Sequence, residues 1–294
     1  MLESSPQQIS EMLDIGIIVA LLAAVLWGSM MVPMKLAKNV DIIWFQLFLA
    51  LGTLSATVII VPLAGLFFET NLYGFISGLI WAIGNILALK SVDEVGMARA
   101  TPVFTGTSII LSASWGIIYF REPITQLETA LFGLTLLLLG TMIVSLIQGQ
   151  HSKRWSKKTV ISAVSSGLLL GSRFVPVQIS GLSIEKALFP MALGITVTAV
   201  AIFLVGGSRH FNINNLSHGL SSGWIFAVGN YFGTLAILYL GLTVGYSITQ
   251  ISVLVAILWG VIYFKEMNRI SNIIKIIIAT ILILIGAYIL TISL

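Results

Sequence analysis

Two stretches of the sequence decide the fold: residues 115–122 are WGIIYFRE and residues 259–266 are WGVIYFKE. Their starting points lie 144 residues apart, about half the length of the 294-residue chain. Each stretch follows a long apolar run and finishes with a basic and an acidic residue. We therefore interpret both stretches as the ends of equivalent apolar helices.

Two more pairs of motifs keep the same order and nearly the same spacing. GSMMVP at 28–33 is paired with GSRFVP at 171–176, and AIGN at 82–85 is paired with AVGN at 227–230. One such match among apolar residues could arise by chance. Three matches in one order, 143 to 145 residues apart, indicate that the second half of the chain duplicates the first.

The composition indicates that lipid surrounds the chain. Hydrophobic residues make up 57% of it and charged residues 9%, whereas soluble domains carry about 25% charge. The mean hydropathy is +1.05. A helix needs roughly 20 apolar residues to cross a bilayer, so about ten crossings fill this length. No room remains for an extramembrane domain, which argues against a soluble enzyme.

We predict an all-α polytopic membrane protein with ten transmembrane helices. Each apolar run is long and continuous, unlike the short alternating strands of a membrane β-barrel. Residues 1–148 form the first five-helix repeat, residues 149–158 a basic cytoplasmic connection and residues 159–294 the second repeat. The predicted spans lie near residues 13–34, 42–65, 72–91, 97–119, 126–147, 159–180, 186–206, 219–240, 244–264 and 270–292.

The two repeats should have opposite orientations, because each contains an odd number of spans. An inverted repeat with a pseudo-twofold axis in the membrane plane is a recurrent design of secondary transporters. It provides two similar energy minima, one open to each side of the membrane. The repeat therefore predicts a carrier that works by alternating access. The sequence lacks the nucleophile or acid–base cluster at one depth that a membrane-embedded enzyme would need. It also lacks the repeated charged residues that line a channel pore.

The distribution of Lys and Arg predicts the orientation. The connections after odd-numbered spans carry most of the basic residues, and the opposite side carries only Arg121 and Lys186. The positive-inside rule then places both termini outside the cytoplasm, in a multi-pass protein of the cell membrane. The basic residues counted on the cytoplasmic side are Lys35, Lys38, Lys90, Arg99, Lys153, Arg154, Lys157, Lys158, Arg209, Lys265, Arg269 and Lys275.

Several classes of site are not predicted. The chain has no cysteine, which excludes disulfides and cysteine-ligated metals. It has no phosphate-binding loop, dinucleotide fingerprint or metal cluster, so we expect no cofactor and no metal. The pI of about 9.4 reflects basic loops that orient the protein in the bilayer rather than a nucleic-acid partner.

The motifs resemble those of the glucose/ribose porter branch of the drug/metabolite transporter superfamily. The resemblance rests on GSxxVP in both halves, GLIWAIGN at 78–85 and the WGxxxFKE ending at 259–266. Residues 95–106 are also similar to bacterial glucose-uptake proteins of that branch. The resemblance implies a ten-helix carrier of sugars or related small solutes, coupled to protons. The superfamily also moves amino acids, nucleotide sugars and drugs, so the substrate stays open.

Arg173 is the one charge deep within a predicted span. It lies about 14 residues into the sixth span, roughly 20 Å from its start. Such a charge is costly in a membrane and is commonly functional. It could bind an anionic substrate group or donate to sugar hydroxyls. Alternatively, it is structural, either satisfied by carbonyls that Pro176 frees or extended outward to the membrane interface. No acidic residue lies in the middle of a span, which disfavours export of cationic drugs and weakens a simple proton-symport mechanism.

Two central amides are further candidates for substrate binding. Asn85 and Asn230 lie near the middle of spans 3 and 8, and an amide can both donate to and accept from sugar hydroxyls. Trp81 lies one turn from Asn85, where its ring could stack on a pyranose. The alternative is that the amides hydrogen-bond between helices. Weaker candidates of the same kind are Gln250, Tyr246, Thr105 and Gln46.

Four residues are candidates for gating. Pro33 and Pro176 occupy the last third of spans 1 and 6, where proline removes a backbone hydrogen bond and kinks a helix. Because these spans run in opposite directions, one kink lies near each side of the membrane, as a pair of gates requires. The alternative is ordinary helix bending, which is common in membrane proteins. Glu122 and Glu266 end spans 4 and 9 as helix-end ion pairs or interfacial anchors, or alternatively as gate salt bridges or proton sites.

The sequence favours uptake of a monosaccharide such as glucose, with or without proton coupling. The alternative is a carrier of amino acids or other small anionic metabolites, with Arg173 as the anion contact. In either case the partners are a small-molecule substrate and the lipid bilayer.

Overall fold

The computed structural model describes residues 6–37, 39–122, 124–145, 147, 155–206, 213–266 and 270–293. Within these ranges the chain is helical apart from short connections, and they contain no β-strand. This agrees with the predicted all-α class. Much of the polar connection after residue 147, including His151, Lys153 and Arg154, lies outside the described residues, as do Lys38, Arg209, His210 and Arg269.

The helices are mostly long and apolar. In chain order they are α1 (Pro6–Ser29), α2 (Val32–Leu36), α3 (Ile42–Leu63), α4 (Leu72–Val95), α5 (Met97–Ser114), α6 (Leu127–Ser145), α7 (Lys157–Ser172), α8 (Val175–Ser180), α9 (Leu188–Gly206), α10 (Ile213–Leu240), α11 (Ser247–Thr249), α12 (Ser252–Leu258) and α13 (Ile270–Ile292). Segments of π-helix continue α5, α10 and α12 at Trp115–Tyr119, Gly241–Tyr246 and Trp259–Tyr263. A 3-10 turn at Ile184–Ala187 precedes α9.

Nine helical stretches among the described residues are long and apolar enough to cross a membrane. One of them, Asn215–Tyr263, has 49 residues, more than twice the roughly 20 that a single crossing needs. It contains Gly241, whose φ of 76° is left-handed. Gly96 stands at the matching place in the first half, between α4 and α5, with φ of 92°. Glycine adopts these angles without the strain that a side chain would add.

Two of the predicted spans are interrupted. The first is divided at Met30–Met31 between α1 and α2, and the sixth at Arg173–Phe174 between α7 and α8. Pro33 and Pro176 then lie in the first turn of the short following helix. Proline fits there because the first-turn N–H groups have no partner within the helix. The helices are thus broken just before the prolines that the sequence singles out.

The same contacts support both breaks. Ser222 Oγ on α10 donates to the Met30 carbonyl at 2.7 Å, and Ser77 Oγ on α4 donates to the Arg173 carbonyl. A helix break exposes carbonyls that need such a donor in an apolar interior. Each hydroxyl therefore satisfies a carbonyl that the break leaves without its helical partner.

Tryptophan side chains support the breaks from a second direction. Trp259 Nε1 donates to Ser29 Oγ at 3.0 Å, and Trp115 Nε1 donates to Ser172 Oγ at 3.1 Å. Both serines belong to the GS pair of the repeated GSxxVP motif, and both tryptophans begin a WG motif. The sequence repeat therefore corresponds to a repeated set of contacts.

The packing joins one half of the chain to the other. α3 packs against α10, α4 against α9, and α6 against α13. Glycines allow these helices to approach closely. A Cβ at Gly78 would collide with the Met191 backbone, and one at Gly223 with the Leu49 backbone. Large apolar side chains cover the outward faces, above all along α13, as expected for a multi-pass membrane protein.

Several charged or titratable residues that were counted with the connections lie inside helices. α4 continues to Val95, so Lys90 is within it, and only Gly96 separates it from α5. Arg99 is in the first turn of α5, buried, with its guanidinium 5.4 Å from the centre of the Trp155 ring. His218 lies within α10. The predicted end of the third span near residue 91 falls short, since α4 continues through Asp93 and Glu94 to its C-cap at Gly96.

Candidate substrate site

A cavity lies where the two broken spans meet α4, α5, α10 and α12. Both halves of the chain line it, and its wall combines aromatic rings with hydroxyl, amide and guanidinium groups. The lining residues are Trp27, Met30, Met31, Trp81, Asn85, Met97, Thr101, Phe104, Thr105, Ser108, Leu170, Arg173, Phe226, Tyr246, Gln250, Ser252 and Ala256.

The cavity is small in this structure. Its volume is about 60 Å³, and a water molecule needs roughly 10–15 Å³ measured in this way. The space therefore suits a handful of waters and is too small for a hexose. A larger solute enters only when side chains or helices of the lining move apart.

Arg173 is the charged group of the cavity, and its side chain is only 3% exposed. The helix break puts it at the end of α7, beside the first turn of α8. Its Nε and Nη2 atoms are buried without a hydrogen-bond partner. Among the lining residues there is no Asp, Glu or His. The guanidinium thus offers free donors to whatever occupies the cavity.

Aromatic rings surround this guanidinium. Its central carbon lies 4.3 Å from the centre of the Trp27 ring and 4.5 Å from that of Phe174. Tyr246 follows at 5.6 Å and Phe226 at 5.9 Å. Cation–π attraction offsets part of the cost of burying the charge. It holds the guanidinium among the rings without supplying the oxygen lone pairs that its N–H groups can take.

Asn85 contributes an amide that is already oriented. Its Nδ2 donates to Gln46 Oε1 at 2.7 Å, and Gln46 is fully buried on α3. This bond uses one of the two amide N–H groups of Asn85, which leaves the second N–H and the carbonyl oxygen as the groups that could bind a ligand. Gln46 does not line the cavity, so its part is to orient Asn85.

The other polar groups of the wall differ in how far they are engaged. The Tyr246 hydroxyl donates to the Leu170 carbonyl at 3.0 Å, and Gln250 Nε2 donates to Thr249 Oγ1 at 3.2 Å. Thr101 Oγ1 is buried without a partner. Thr105 also lines the cavity. The wall therefore holds neutral donors and acceptors suited to hydroxyl groups.

Trp81 packs on its counterpart from the other half. Its ring is stacked on that of Phe226, with centroids 3.9 Å apart and an interplanar angle of 28°. Trp81 is 2% exposed, so one ring face is covered by Phe226 in this structure. The two rings form part of the cavity wall where the halves meet.

The structure brings together six of the seven predicted substrate-binding residues. Arg173, Asn85, Trp81, Gln250, Tyr246 and Thr105 line one cavity. Asn230 lies outside the lining, where its Nδ2 contacts Met191 Sδ at 3.6 Å. Pro33 and Pro176, assigned to gating, are also outside it. Sequence reasoning missed Trp27 and Phe226, because a single aromatic residue within an apolar run carries no distinguishing signal.

Glu122 and Glu266 bind backbone N–H groups of the opposite half. Glu266 accepts from Met97 N at 3.2 Å and from Ala98 N at 2.9 Å, at the start of α5. Glu122 accepts from Leu242 N at 2.6 Å and from Thr243 N at 2.7 Å, just after Gly241. Each carboxylate therefore caps a helix start in the other half.

The two caps lie at opposite ends of α5 and its π-helical extension, because Glu266 binds the start and Glu122 follows the end. They differ in their ionic contacts. Lys35 Nζ lies 3.1 Å from Glu266 Oε1, whereas the GSxxVP repeat aligns Lys35 with the neutral Gln178. The sequence predicts helix-end ion pairs or interfacial anchors for both carboxylates, whereas the structure shows caps between the two halves, with a lysine partner at Glu266.

Comparison with known proteins identifies related chains. A family described as sugar transport protein matches residues 18–293. A protein of Listeria innocua named for sugar uptake is 27% identical over 92% of this chain and 96% of its own length. The glucose uptake protein GlcU of Bacillus subtilis is 26% identical over 94% of this chain and 98% of its own.

A solved structure shares the fold. A crystal structure of another protein aligns with a TM-score of 0.73 over 94% of this chain and 98% of that chain, at 12% sequence identity. At this identity the likeness concerns the arrangement of helices alone.

Proposed function

The chain belongs to the family of sugar transport proteins, and we propose that it is a secondary transporter that takes up a monosaccharide such as glucose by alternating access. The family is one of transport proteins rather than enzymes, as the sequence predicts. The names of relatives from Listeria innocua and Bacillus subtilis refer to sugar and glucose uptake.

One observation carries the proposal: a small cavity between the two halves combines aromatic rings with neutral polar groups. Aromatic rings offer flat apolar faces to the C–H surface of a sugar ring. Amide and hydroxyl groups such as those of Asn85 and Thr105 match its hydroxyls. An enclosed binding space between repeats is also where secondary transporters hold their substrates.

Ten spans in two inverted repeats are the architecture proposed for this mechanism, with residues 1–148 and 159–294 as the repeats and 149–158 between them. The long helical stretch Asn215–Tyr263 would then count as two crossings that turn at Gly241. Contacts that recur about 143 to 145 residues apart support this proposal. They include the carboxylate caps, the serine contacts at the helix breaks and the tryptophan–serine pairs.

The gates are proposed at the two caps and the two breaks. Release of Glu266 from the start of α5 would open one end of the cavity, and release of Glu122 from Thr243 would open the other. The breaks before Pro33 and Pro176 would serve as hinges, because their backbone is not held by continuous helical hydrogen bonds.

If transport is coupled to protons, the coupling proton binds to a group outside the cavity. No carboxylate or imidazole is among the lining residues, so a coupling proton would have to bind elsewhere. Glu122 and Glu266 are the candidates, since a protonated carboxyl binds backbone N–H groups less strongly than a carboxylate does. A protonation at either cap would then favour opening of that end.

A second candidate function is transport of amino acids or other small anionic metabolites. The observation in its favour is the buried Arg173 with two unpartnered nitrogens. An anionic group would supply the counter-charge that the cavity wall lacks. The proposed location is the cell membrane in either case, with both termini outside the cytoplasm.

Counterflow in proteoliposomes tests the function. Vesicles loaded with unlabelled glucose should accumulate labelled glucose transiently, and the initial rate should saturate. Protein-free vesicles are the control, and an imposed pH gradient tests proton coupling. Absence of saturable counterflow with every monosaccharide of a panel would contradict sugar transport, and saturable exchange of glutamate alone would favour the second candidate.

A further inference from the structure

The electrostatics of the cavity distinguish between kinds of sugar. Arg173 carries a full positive charge, and the lining contains no acidic residue to balance it. Among the described residues, the ion pairs are Lys35 with Glu266 and Lys186 with Glu69, both outside the cavity. Arg173 therefore lacks a counter-charge within the described part of the protein.

The surrounding aromatic rings partly offset the positive charge of Arg173 but do not neutralise it. Trp27 and Phe174 lie closest to the guanidinium, and a ring attracts a cation through its quadrupole. The rings offer no oxygen lone pairs, and Nε and Nη2 remain without an acceptor. A carboxylate can accept from two guanidinium nitrogens at once, with a geometry that matches the planar fork.

The remaining polar groups have a different chemistry. Asn85, Thr101 and Thr105 are neutral and suit hydroxyl groups, and Gln250 and Ser252 add further neutral polar atoms to the wall. A small carboxylate without hydroxyls would leave these groups unmatched. A neutral sugar would leave the buried charge of Arg173 without a counter-ion, and electrostatic interactions are stronger in a protein interior than in water.

Together these features fit one class of solute. We infer that the cavity binds a monosaccharide that carries a carboxylate, such as an aldonate or a uronate, with the carboxylate on Arg173 and the hydroxyls on the neutral wall. This inference rests on the proposed function as a sugar transporter and specifies its substrate class. A single ligand of this class would bind both the free guanidinium and the neutral groups that match hydroxyls.

The experiment measures ligand binding to the purified full chain. Quenching of tryptophan fluorescence reports on the cavity because Trp27 and Trp81 line it. The probes are D-glucose, D-gluconate, D-glucuronate, L-glutamate and acetate, at equal ionic strength. At least one sugar acid should bind about tenfold or more tightly than glucose, as expected for a charge-assisted hydrogen bond over a neutral one. Glutamate and acetate should bind no more tightly than glucose.

Substitution of the guanidinium tests its part. Arg173→Gln should bring the ratio of sugar-acid affinity to glucose affinity down to about one, whatever its effect on glucose itself, since an amide donates to an oxygen without carrying a charge. Arg173→Lys keeps the charge and should retain part of the advantage. Thermal unfolding of both variants shows whether they fold, and the wild-type comparison between ligands does not depend on either variant.

The outcomes separate the two proposals. If glucose binds and exchanges but neither acid binds more tightly, the inference is wrong and sugar transport stands. If glutamate or acetate binds as tightly as the sugar acid, or if Arg173→Gln keeps the acid preference, the inference is also wrong. If no sugar, acidic or neutral, binds or exchanges, the proposed function fails and the inference fails with it.

Discussion

The carboxylate of Glu266 accepts a hydrogen bond from the backbone N–H of Ala98 at 2.9 Å, across 168 residues of chain. Its second contact, with Met97 N, makes the side chain a cap for the start of α5. The first N–H groups of a helix have no partner within the helix and favour negative charge. Since Glu122 does the same for Thr243 in the other half, the two halves hold each other at both ends.

Removal of either cap should lower stability and disturb transport. Glu266→Ala leaves two N–H groups without their acceptor and Lys35 without its carboxylate, so we expect a loss of about 2–3 kcal/mol. Glu122→Ala should cost somewhat less, since no described lysine pairs with Glu122. The measurement is thermal unfolding in detergent together with the initial rate of counterflow.

Two variants serve as controls for the caps. Glu128→Ala removes an exposed carboxylate of α6 and should leave both unfolding and transport near wild type. Glu266→Gln keeps an acceptor oxygen and loses the charge, so it should lie between wild type and Glu266→Ala. Unfolding of Glu266→Ala at the wild-type temperature would mean that the cap does not stabilise this form.

The sequence was sufficient to predict the helical class but not how the helices hold each other. Long apolar runs reveal membrane helices through composition alone. The caps were not predicted, because Glu266 binds backbone N–H groups at a distant point of the chain. Every residue but proline carries such a group, so the sequence does not identify the partner. The end of α4 was misplaced for a related reason. Asp93 and Glu94 look like a loop, yet they occupy its last turn.

The cavity was partly predictable for a physical reason. A polar side chain such as Arg173 or Asn85 is costly within an apolar span, so its presence there signals a function. Trp27 and Phe226 carry no such signal, since aromatic residues are common in membrane helices. Asn85 and Asn230 occupy matching positions in the repeat, and only their neighbours distinguish them: Gln46 contacts the first and Met191 the second.

This difference predicts unequal effects of matched substitutions. Asn85→Ala removes a cavity amide, so the KM for substrate should rise about five- to tenfold, in line with loss of one hydrogen bond. Asn230→Ala removes an amide that lies outside the lining and should leave KM near wild type. Both measurements use counterflow rates across a range of substrate concentrations, with expression checked separately. A larger KM effect for Asn230→Ala than for Asn85→Ala would remove Asn85 from the site.

The orientation predicted from the basic residues can be tested directly, because the natural chain has no cysteine. Gln150→Cys, in the basic connection, should resist an impermeant thiol reagent in intact cells and react after lysis. Thr70→Cys, at an exposed position in the connection between α3 and α4, should react in intact cells. Labelling of Gln150→Cys and protection of Thr70→Cys would reverse the orientation.

The tryptophan contacts at the two helix breaks predict a coupling energy. Trp259 Nε1 donates to Ser29 Oγ, so Trp259→Phe should remove this hydrogen bond while keeping an aromatic ring in place. We expect a loss of about 1 kcal/mol from the bond, plus the effect of the smaller ring.

A double-mutant cycle separates these two effects. If Ser29 is the partner that matters, Trp259→Phe should cost less in a Ser29→Ala background, with an interaction energy of about 0.5–1.5 kcal/mol. The Trp115 and Ser172 pair should give a similar value, because the same contact recurs at the second break. Additive effects at both breaks would show that the tryptophans act there through packing alone. Coupling at only one break would show that the two halves, alike in sequence and contacts, do not hold their broken helices with equal strength.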